Sequence, residues 1–293
     1  MGRGIVKESM EKVRSIVVVG AGVMGRGIAL AAARAGYGTR VLEPSASAAA
    51  SARAEIERIL VRSVEKGETT ADSADAARAR LTWAASPEAI SGSDLAIEAV
   101  PESIALKAGI YRALAPHLAR DAVIATNTSS LGITELAATS DRPARFLGMH
   151  FFNPVHRMRL IELVRGRDTS DEALARVEEV ARAMGKETVL VRESPGFVTT
   201  LINALIGNEA FALLEAGVAS ARDIDKALKL GLNHPMGPFE MIDLVGLDTR
   251  LYILEYLHRT LGETYRPNPL HVEYVKAGRL GRKVGRGVYD YPA

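Results

Sequence analysis

Apolar residues are patterned in two different ways along this chain. In the first two thirds they form short β-branched or aliphatic runs, Ser15-Ile16-Val17-Val18-Val19 being the clearest, with further runs at 39–42, 94–99, 122–126, 144–150 and 187–191. Each reads as a buried strand, because continuous aliphatic runs of this length mark strands covered on both faces. Between them the apolar spacing turns helical, at 23–35, 45–66, about 103–118 and 171–184. Strands alternating with helices predict βαβ units and a mostly parallel sheet. Beyond Glu193-Ser194-Pro195-Gly196 the spacing is helical only, over about 196–216, 221–230, 246–261 and 268–277, with Gly217, Gly231, Gly262 and Gly278 placed to stop helices. Ser220 with Asp223 three residues later has the look of a capping box. The expected architecture is an α/β Rossmann-type domain over 1–192 followed by an all-α domain over 193–293.

Composition narrows the chemistry. The chain of 293 residues has no cysteine, which excludes disulfides, thiolate metal sites and cysteine nucleophiles. A net charge of +2 gives no electrostatic reason to expect a nucleic-acid partner. No His and acidic residues share metal-ligand spacing, so no metal is expected and redox chemistry would need an organic cofactor. The first 15 residues carry charges where a signal peptide has its apolar core, and no run reaches the ~20 apolar residues of a membrane span. The expected compartment is the cytoplasm.

Gly20-Ala21-Gly22-Val23-Met24-Gly25 directly follows the first strand and opens the first helix. In that context G-x-G-x-x-G is a dinucleotide fingerprint. Gly20 serves the tight turn, Gly22 the approach of the pyrophosphate, and Gly25 close helix–strand packing, while the amides around Val23 and Met24 face the phosphates. Glu43 ends the second strand 18 residues after Gly25, where a carboxylate accepts from ribose hydroxyls and repels a 2′-phosphate. NAD is therefore expected over NADP. Arg40, three residues earlier, lies too far back to receive such a phosphate.

Asn127-Thr128-Ser129-Ser130 sits just past the strand at 122–126, where open α/β sheets place ligands. His150 ends another strand, and Glu162 lies inside the apolar run Leu160-Ile161-Glu162-Leu163-Val164. A carboxylate among aliphatics needs a partner, since burying it alone is costly. His150 is the nearest candidate, and a histidine held by a carboxylate is a common general base. His117, His234, His258 and His271 have no such setting and read as surface or structural residues.

These strings resemble the 3-hydroxyacyl-CoA dehydrogenase family, in particular its bacterial 3-hydroxybutyryl-CoA members. The likeness runs from about Ser15 to Tyr291 and includes GAGVMGRGIA (20–29), EAVPES (98–103), NTSSLGITELA (127–137), GMHFFNPVHRMRLIELV (148–164) and DIDKALKLGLNHPMGPFEMIDLVGLD (223–248). It implies His150 as catalytic base, Glu162 as its orienting carboxylate, and Ser129 on the substrate 3-oxygen. It also implies Glu102, Lys107, Ser129, Asn153 and Lys283 as NAD contacts, Lys66 as a CoA contact, a place in fatty-acid β-oxidation and a homodimer. Arg58 and Arg62 share a helix face with Lys66 at i, i+4, i+8 spacing, which suits CoA phosphates as well as a solvated charged surface.

The sequence also departs from the family. Where the family has Asn-Arg after Pro-Gly-Phe and two aliphatics, this chain has Thr200-Leu201, and Asn203 lies three residues on. Thr200 is the expected replacement donor, with Asn203 as competitor. Ile59 stands where the family has a CoA-contacting serine, and Glu43 replaces the commoner Asp. Two other readings are open: a hydroxyacid dehydrogenase of the same architecture, of L-gulonate type, and an inactive dinucleotide-binding protein.

Overall fold

The computed structural model describes residues 12–291; most of the charged N-terminal stretch read above against a signal peptide lies outside them. The chain divides into two compact units, Met1–Glu193 and Ser194–Ala293.

The first unit is built on one eight-stranded sheet. Its strands are β1 (Ser15–Val19), β2 (Gly38–Leu42), β3 (Leu81–Ala84), β4 (Ser93–Glu98), β5 (Leu118–Thr126), β6 (Phe146–Phe151), β7 (Leu160–Arg165) and β8 (Glu187–Arg192). They lie in the order β3-β2-β1-β4-β5-β6-β7-β8. Strands β1 to β6 are mutually parallel, β7 runs antiparallel to β6, and β8 runs parallel to β7. The order reverses between β1 and β4, and the crevice at such a switch point, past the carboxyl ends of the strands, is where doubly wound sheets bind ligands.

Helices α1 (Val23–Arg34), α2 (Ala46–Glu65), α3 (Ala71–Arg80), α4 (Ile104–Leu114), α5 (Ile133–Ala137) and α6 (Asp171–Ala183) cover the sheet or pack beside it. Ile16, Val17 and Val18 are fully buried, and each such side chain contributes roughly 1.5–3 kcal/mol when removed from water. Hydroxyl side chains start most of the helices: Ser45, Thr70, Ser103 and Ser170 each accept a hydrogen bond from the amide three residues on.

Some elements differ from the pattern reading. Helix α3 buries only Ala74 and Ala77, so it carries no apolar stripe to reveal it. Strand β3 is a four-residue edge. The run around Glu162 is strand β7, and its reversal is invisible to periodicity.

The second unit contains α7 (Thr199–Glu215), α8 (Ala221–Gly231), α9 (Pro238–Val245), α10 (Leu247–Leu261) and α11 (Pro269–Lys276). Helix α9 does not figure among the helices expected from the sequence. Phe211 packs edge-on against Phe239, ring centroids 5.2 Å apart. Asp243 is buried and accepts from the amides of Val288 and Tyr289 and the hydroxyl of Tyr291. A side chain at Gly287 would collide with that carboxylate, which accounts for the glycine in the tail string Gly285-Arg286-Gly287-Val288-Tyr289. Among the described residues no helix is long and apolar enough to cross a membrane.

His271 is fully buried, stacks on Phe211 with centroids 4.7 Å apart, and donates from Nε2 to the Leu247 carbonyl at 3.0 Å. Burial first, and Arg250 after it, lower its pKa from 6.5 to about 4. The folded chain therefore keeps a neutral imidazole where the unfolded chain takes a proton. Its contribution to stability is complete above the unfolded value and is lost as the pH falls from about 6.5 towards 4. Thermal melts should accordingly drop between about pH 7.5 and 5, and less steeply in a His271→Gln variant. Equal slopes for the two proteins would remove His271 as the cause.

Candidate active site

The turn from β1 into α1 is shaped by contacts that leave no room for side chains. Gly20 has φ +94°, and a Cβ there would lie 2.9 Å from the Ala99 carbonyl oxygen; one on Gly25 would lie 1.9 Å from the Gly20 oxygen. At Gly22 a Cβ meets nothing within 4 Å, so the backbone there borders open space. Helix α1 has Gly22 at its N-cap and no capping side chain, unlike the hydroxyl-capped helices. Its first amides are thus left for an anion.

Beside this turn lies a cavity of about 860 Å³, lined by Gly20, Gly22, Val23, Met24 and Glu43 and by apolar residues such as Leu106 and Ile110. Glu43 accepts from the Ala21 amide through Oε2 and from the Ser45 amide through Oε1, both at 3.0 Å. The residues therefore fit a dinucleotide: a close backbone approach, an uncapped helix start and a carboxylate at the strand end. Gly25 lies beneath the turn and does not line the cavity, in keeping with its packing role. Arg40 donates to the Ser91 carbonyl at 3.0 Å, away from the cavity.

His150 and Glu162 are direct partners in the antiparallel β6–β7 register. His150 Nδ1 lies 2.7 Å from Glu162 Oε2, with His150 6% exposed and Glu162 fully buried. The carboxylate assigns the Nδ1–H tautomer, in which Nε2 carries the ring's acceptor lone pair. The Phe152 ring lies 4.5 Å from the imidazole.

Ser129 belongs to a loop ordered from two sides. The Asn127 side-chain oxygen accepts from the Phe151 amide, next to His150, at 2.8 Å. Glu102 accepts from the Ser129 amide at 3.2 Å and from the hydroxyls of Thr128 and Ser130. Lys107 is 1% exposed; its ammonium sits between Glu98 and Glu102, at 2.6 and 3.3 Å. Neither Asn127 nor Glu98 was singled out from the sequence. Glu98 could have been found by the argument used for Glu162, since it ends the aliphatic run Leu95-Ala96-Ile97.

Arg58, Arg62 and Lys66 line a second, smaller cavity of about 290 Å³, together with His156 and Arg157. Arg58, an exposed side chain, is paired with Glu55 at 2.7 Å. Arg62 and Lys66 have no ion-pair partner among the described residues. Burial, then Arg157 and Arg34, lower the pKa of His156. Asn153 is exposed at the turn between β6 and β7. In the second unit, Thr200 is buried on the first turn of α7 and Asn203 is half-buried one turn on, while Lys283 pairs with both oxygens of Asp248 at 2.6 Å. Among the described residues no three His, Asp or Glu side chains form a metal cluster.

A doubly wound sheet with an uncapped glycine turn and a strand-end carboxylate defines a dinucleotide-binding protein. Family models narrow this further. The 3-hydroxyacyl-CoA dehydrogenase NAD binding domain matches residues 15–194, and the C-terminal domain of the same family matches 196–291. The chain belongs to the 3-hydroxyacyl-CoA dehydrogenase family; it is an NAD-dependent oxidoreductase acting on a CH–OH group. A probable 3-hydroxybutyryl-CoA dehydrogenase of Bacillus subtilis is 43% identical over 96% of this chain and 98% of its own length. The crystal structure of (S)-3-hydroxybutyryl-CoA dehydrogenase PaaH1 from Ralstonia eutropha superposes with a TM-score of 0.93 at 42% identity, over 96% of this chain and all of that one. FadB2 of Mycobacterium tuberculosis gives a TM-score of 0.93 at 41% identity, again over 96% of this chain and all of the other.

The Glu43 carboxylate opposes a 2′-phosphate, so NADH should be used at least about tenfold better than NADPH in kcat/KM. Glu43→Gln should narrow the ratio. A wild-type enzyme indifferent to the two cofactors would sink this assignment.

Proposed function

We propose that the enzyme interconverts a (3S)-3-hydroxyacyl-CoA, with 3-hydroxybutyryl-CoA as the favoured chain length, and the 3-ketoacyl-CoA. The observation that carries the chemistry is the buried His150–Glu162 pair, 2.7 Å apart, on the same sheet as the dinucleotide turn. NAD, when bound, supplies the hydride acceptor for C3. In the oxidative direction His150 removes the 3-hydroxyl proton at Nε2. Glu162 holds the ring and compensates the charge the imidazole gains. The Ser129 hydroxyl donates to the substrate oxygen, and such a donor is worth ~3–4 kcal/mol where charge develops. Thr200 is the proposed second donor: it stands at the family's asparagine position, whereas Asn203 lies one turn further along α7, about 4.5 Å at 1.5 Å per residue.

Arg62 and Lys66 are the proposed CoA phosphate ligands, with Arg58, which pairs with Glu55, beside them on the same face. Glu102, Lys107, Asn153 and Lys283 remain proposed cofactor contacts. The names of the relatives support the CoA thioester, and the basic cavity favours it over the L-gulonate alternative, which has no phosphate to bind. The helical second unit is the proposed dimerisation surface: Leu230, Leu232, Leu244 and Tyr252 on it are about half exposed or more. A cytoplasmic location and a role in fatty-acid β-oxidation complete the reading.

His150→Gln should leave cofactor binding intact and reduce the reduction of acetoacetyl-CoA by ~10²–10⁴-fold; turnover close to wild type would take His150 out of the mechanism.

Arg62→Ala with Lys66→Ala should raise KM for acetoacetyl-CoA about tenfold with little change in kcat, because phosphate contacts serve ground and transition states alike. The penalty should vanish with a truncated acetoacetyl-pantetheine. The same penalty on both substrates would contradict the assignment.

A further inference from the structure

The cavity at the basic face of α2 has a second wall. Besides Arg62 and Lys66 it is lined by His156 and Arg157, which stand on the link between β6 and β7 and to which neither the sequence nor the mechanism above gives a role.

The backbone of that link is fixed. The Pro154 carbonyl accepts from the amides of Arg157 at 2.9 Å and Met158 at 3.0 Å, closing a turn. Val155 is 3% exposed and meets Gly27 of α1. Lys186 donates to the carbonyls of Val155 and Met158. Val155 thus points inward, while the next two residues, His156 and Arg157, are both exposed. Two adjacent polar side chains reach the cavity from a turn that is already ordered, which lowers the cost of engaging a ligand.

The charges lining the cavity do not balance. Arg58 is matched by Glu55 at 2.7 Å. Arg62, Lys66 and Arg157 form no ion pair among the described residues. Glu68 is the other acid of the cavity, and its field is shared between His156 and Arg34 of α1. Lys186, ahead of β8, adds a further positive charge near His156. Burial first, then Arg157 and Arg34, hold the His156 pKa below its ordinary value, with Glu68 opposing them. An anion placed among these groups reverses the cationic part of that effect and favours the imidazolium. The imidazolium donates from both ring nitrogens, and a guanidinium grips phosphate oxygens in pairs.

We infer that His156 and Arg157 are substrate ligands: with Arg62 and Lys66 they enclose a phosphate group of the CoA thioester between α2 and the β6–β7 turn. The inference rests on the proposed reading of this cavity as the CoA site, and adds to it a second wall and a dependence on pH. The diphosphate and the 3′-phosphate of CoA offer the same chemistry to these cations. His156 contributes its charge only when protonated, so affinity for the thioester rises as the pH falls through its pKa.

The test uses the full-length enzyme and three substrates: acetoacetyl-CoA, its 3′-dephospho form and acetoacetyl-pantetheine. His156→Asn with Arg157→Gln should raise KM for acetoacetyl-CoA about fivefold or more near pH 6, the scale of exposed charge contacts, while KM for NADH stays within about twofold of wild type. The penalty of His156→Asn alone should shrink towards pH 8, and that of Arg157→Gln should not, because a guanidinium keeps its charge throughout. With acetoacetyl-pantetheine both penalties should vanish. A penalty that persists on the dephospho substrate supports a contact to the diphosphate, and one that vanishes there supports a contact to the 3′-phosphate. An unchanged KM for acetoacetyl-CoA in the double variant would overturn the inference, and so would an equal penalty on the pantetheine substrate. If Arg62→Ala with Lys66→Ala penalises acetoacetyl-CoA and the turn variants do not, the inference fails and the CoA reading of the cavity stands. Equal KM values of the wild-type enzyme for the CoA and pantetheine substrates would refute that reading and the inference with it.

Discussion

A carboxylate placed at the inner end of a strand has to be met by donors or it cannot be buried, and this requirement organises the first unit. Glu98 and Glu162 are both fully buried on the sheet, and each fixes what surrounds it. Glu98 draws in Lys107 and Tyr111 from α4, Thr126 from β5 and the amide of Val100, so one acid locks the β4–α4 connection to the neighbouring strand. Glu162 draws in His150 from the adjacent strand. Desolvating an ion costs several kcal/mol unless the geometry is good, so neither group tolerates a loose fit. Rigidity at the carboxyl end of the sheet follows from that cost.

The topology places these acids where chemistry can use them. The reversal of β7 puts Glu162 directly opposite His150, and side chains at such cross-strand positions lie close enough to touch. Had β7 continued parallel, it would need a long crossover after β6; here the link from Phe151 to Leu160 is short. Within that link Val155 packs against Gly27 of α1, where a Cβ would lie 2.9 Å from the valine methyl. That contact lays the turn bearing His156 and Arg157 beside the basic face of α2. The reversal therefore brings Glu162 to His150 and also shapes the second cavity.

Much of this was legible from residue order, for physical reasons that also mark its limits. The β1 run, the glycine turn and Glu43 are local signals, because a tight turn and a buried parallel strand each demand particular residues within a few positions. The pairing of His150 with Glu162 was legible because an acid among aliphatics announces a missing partner. Helix α3 was not, because Ala74 and Ala77 are its only buried residues and polar sequence hides a helix packed by its backbone. The Glu98 anchor was missed although the same argument applied. Its four partners are spread over residues 100 to 126 and meet only through β4–β5 pairing. The pairing of Arg58 with Glu55 is an i, i+3 contact along α2 that the i, i+4, i+8 spacing of the cations does not reveal.

Glu43 shows how one substitution can serve two constraints. The family's usual residue at this place is aspartate, one methylene shorter. The longer side chain spans the Ala21 amide in the glycine turn and the Ser45 amide at the N-cap of α2. It therefore ties the phosphate-binding turn to the end of β2. Two of about four lone-pair sites are used by those amides, which leaves two for ribose hydroxyls. A 2′-phosphate brings charge and no donor, and would meet a carboxylate whose position is already fixed by two backbone groups. Moving it aside would break both bonds, each worth about 1 kcal/mol or more for an ionised acceptor. A preference for NAD would thus draw on the charge of Glu43 and equally on its two backbone hydrogen bonds, which a freely rotating acid at the same position would lack.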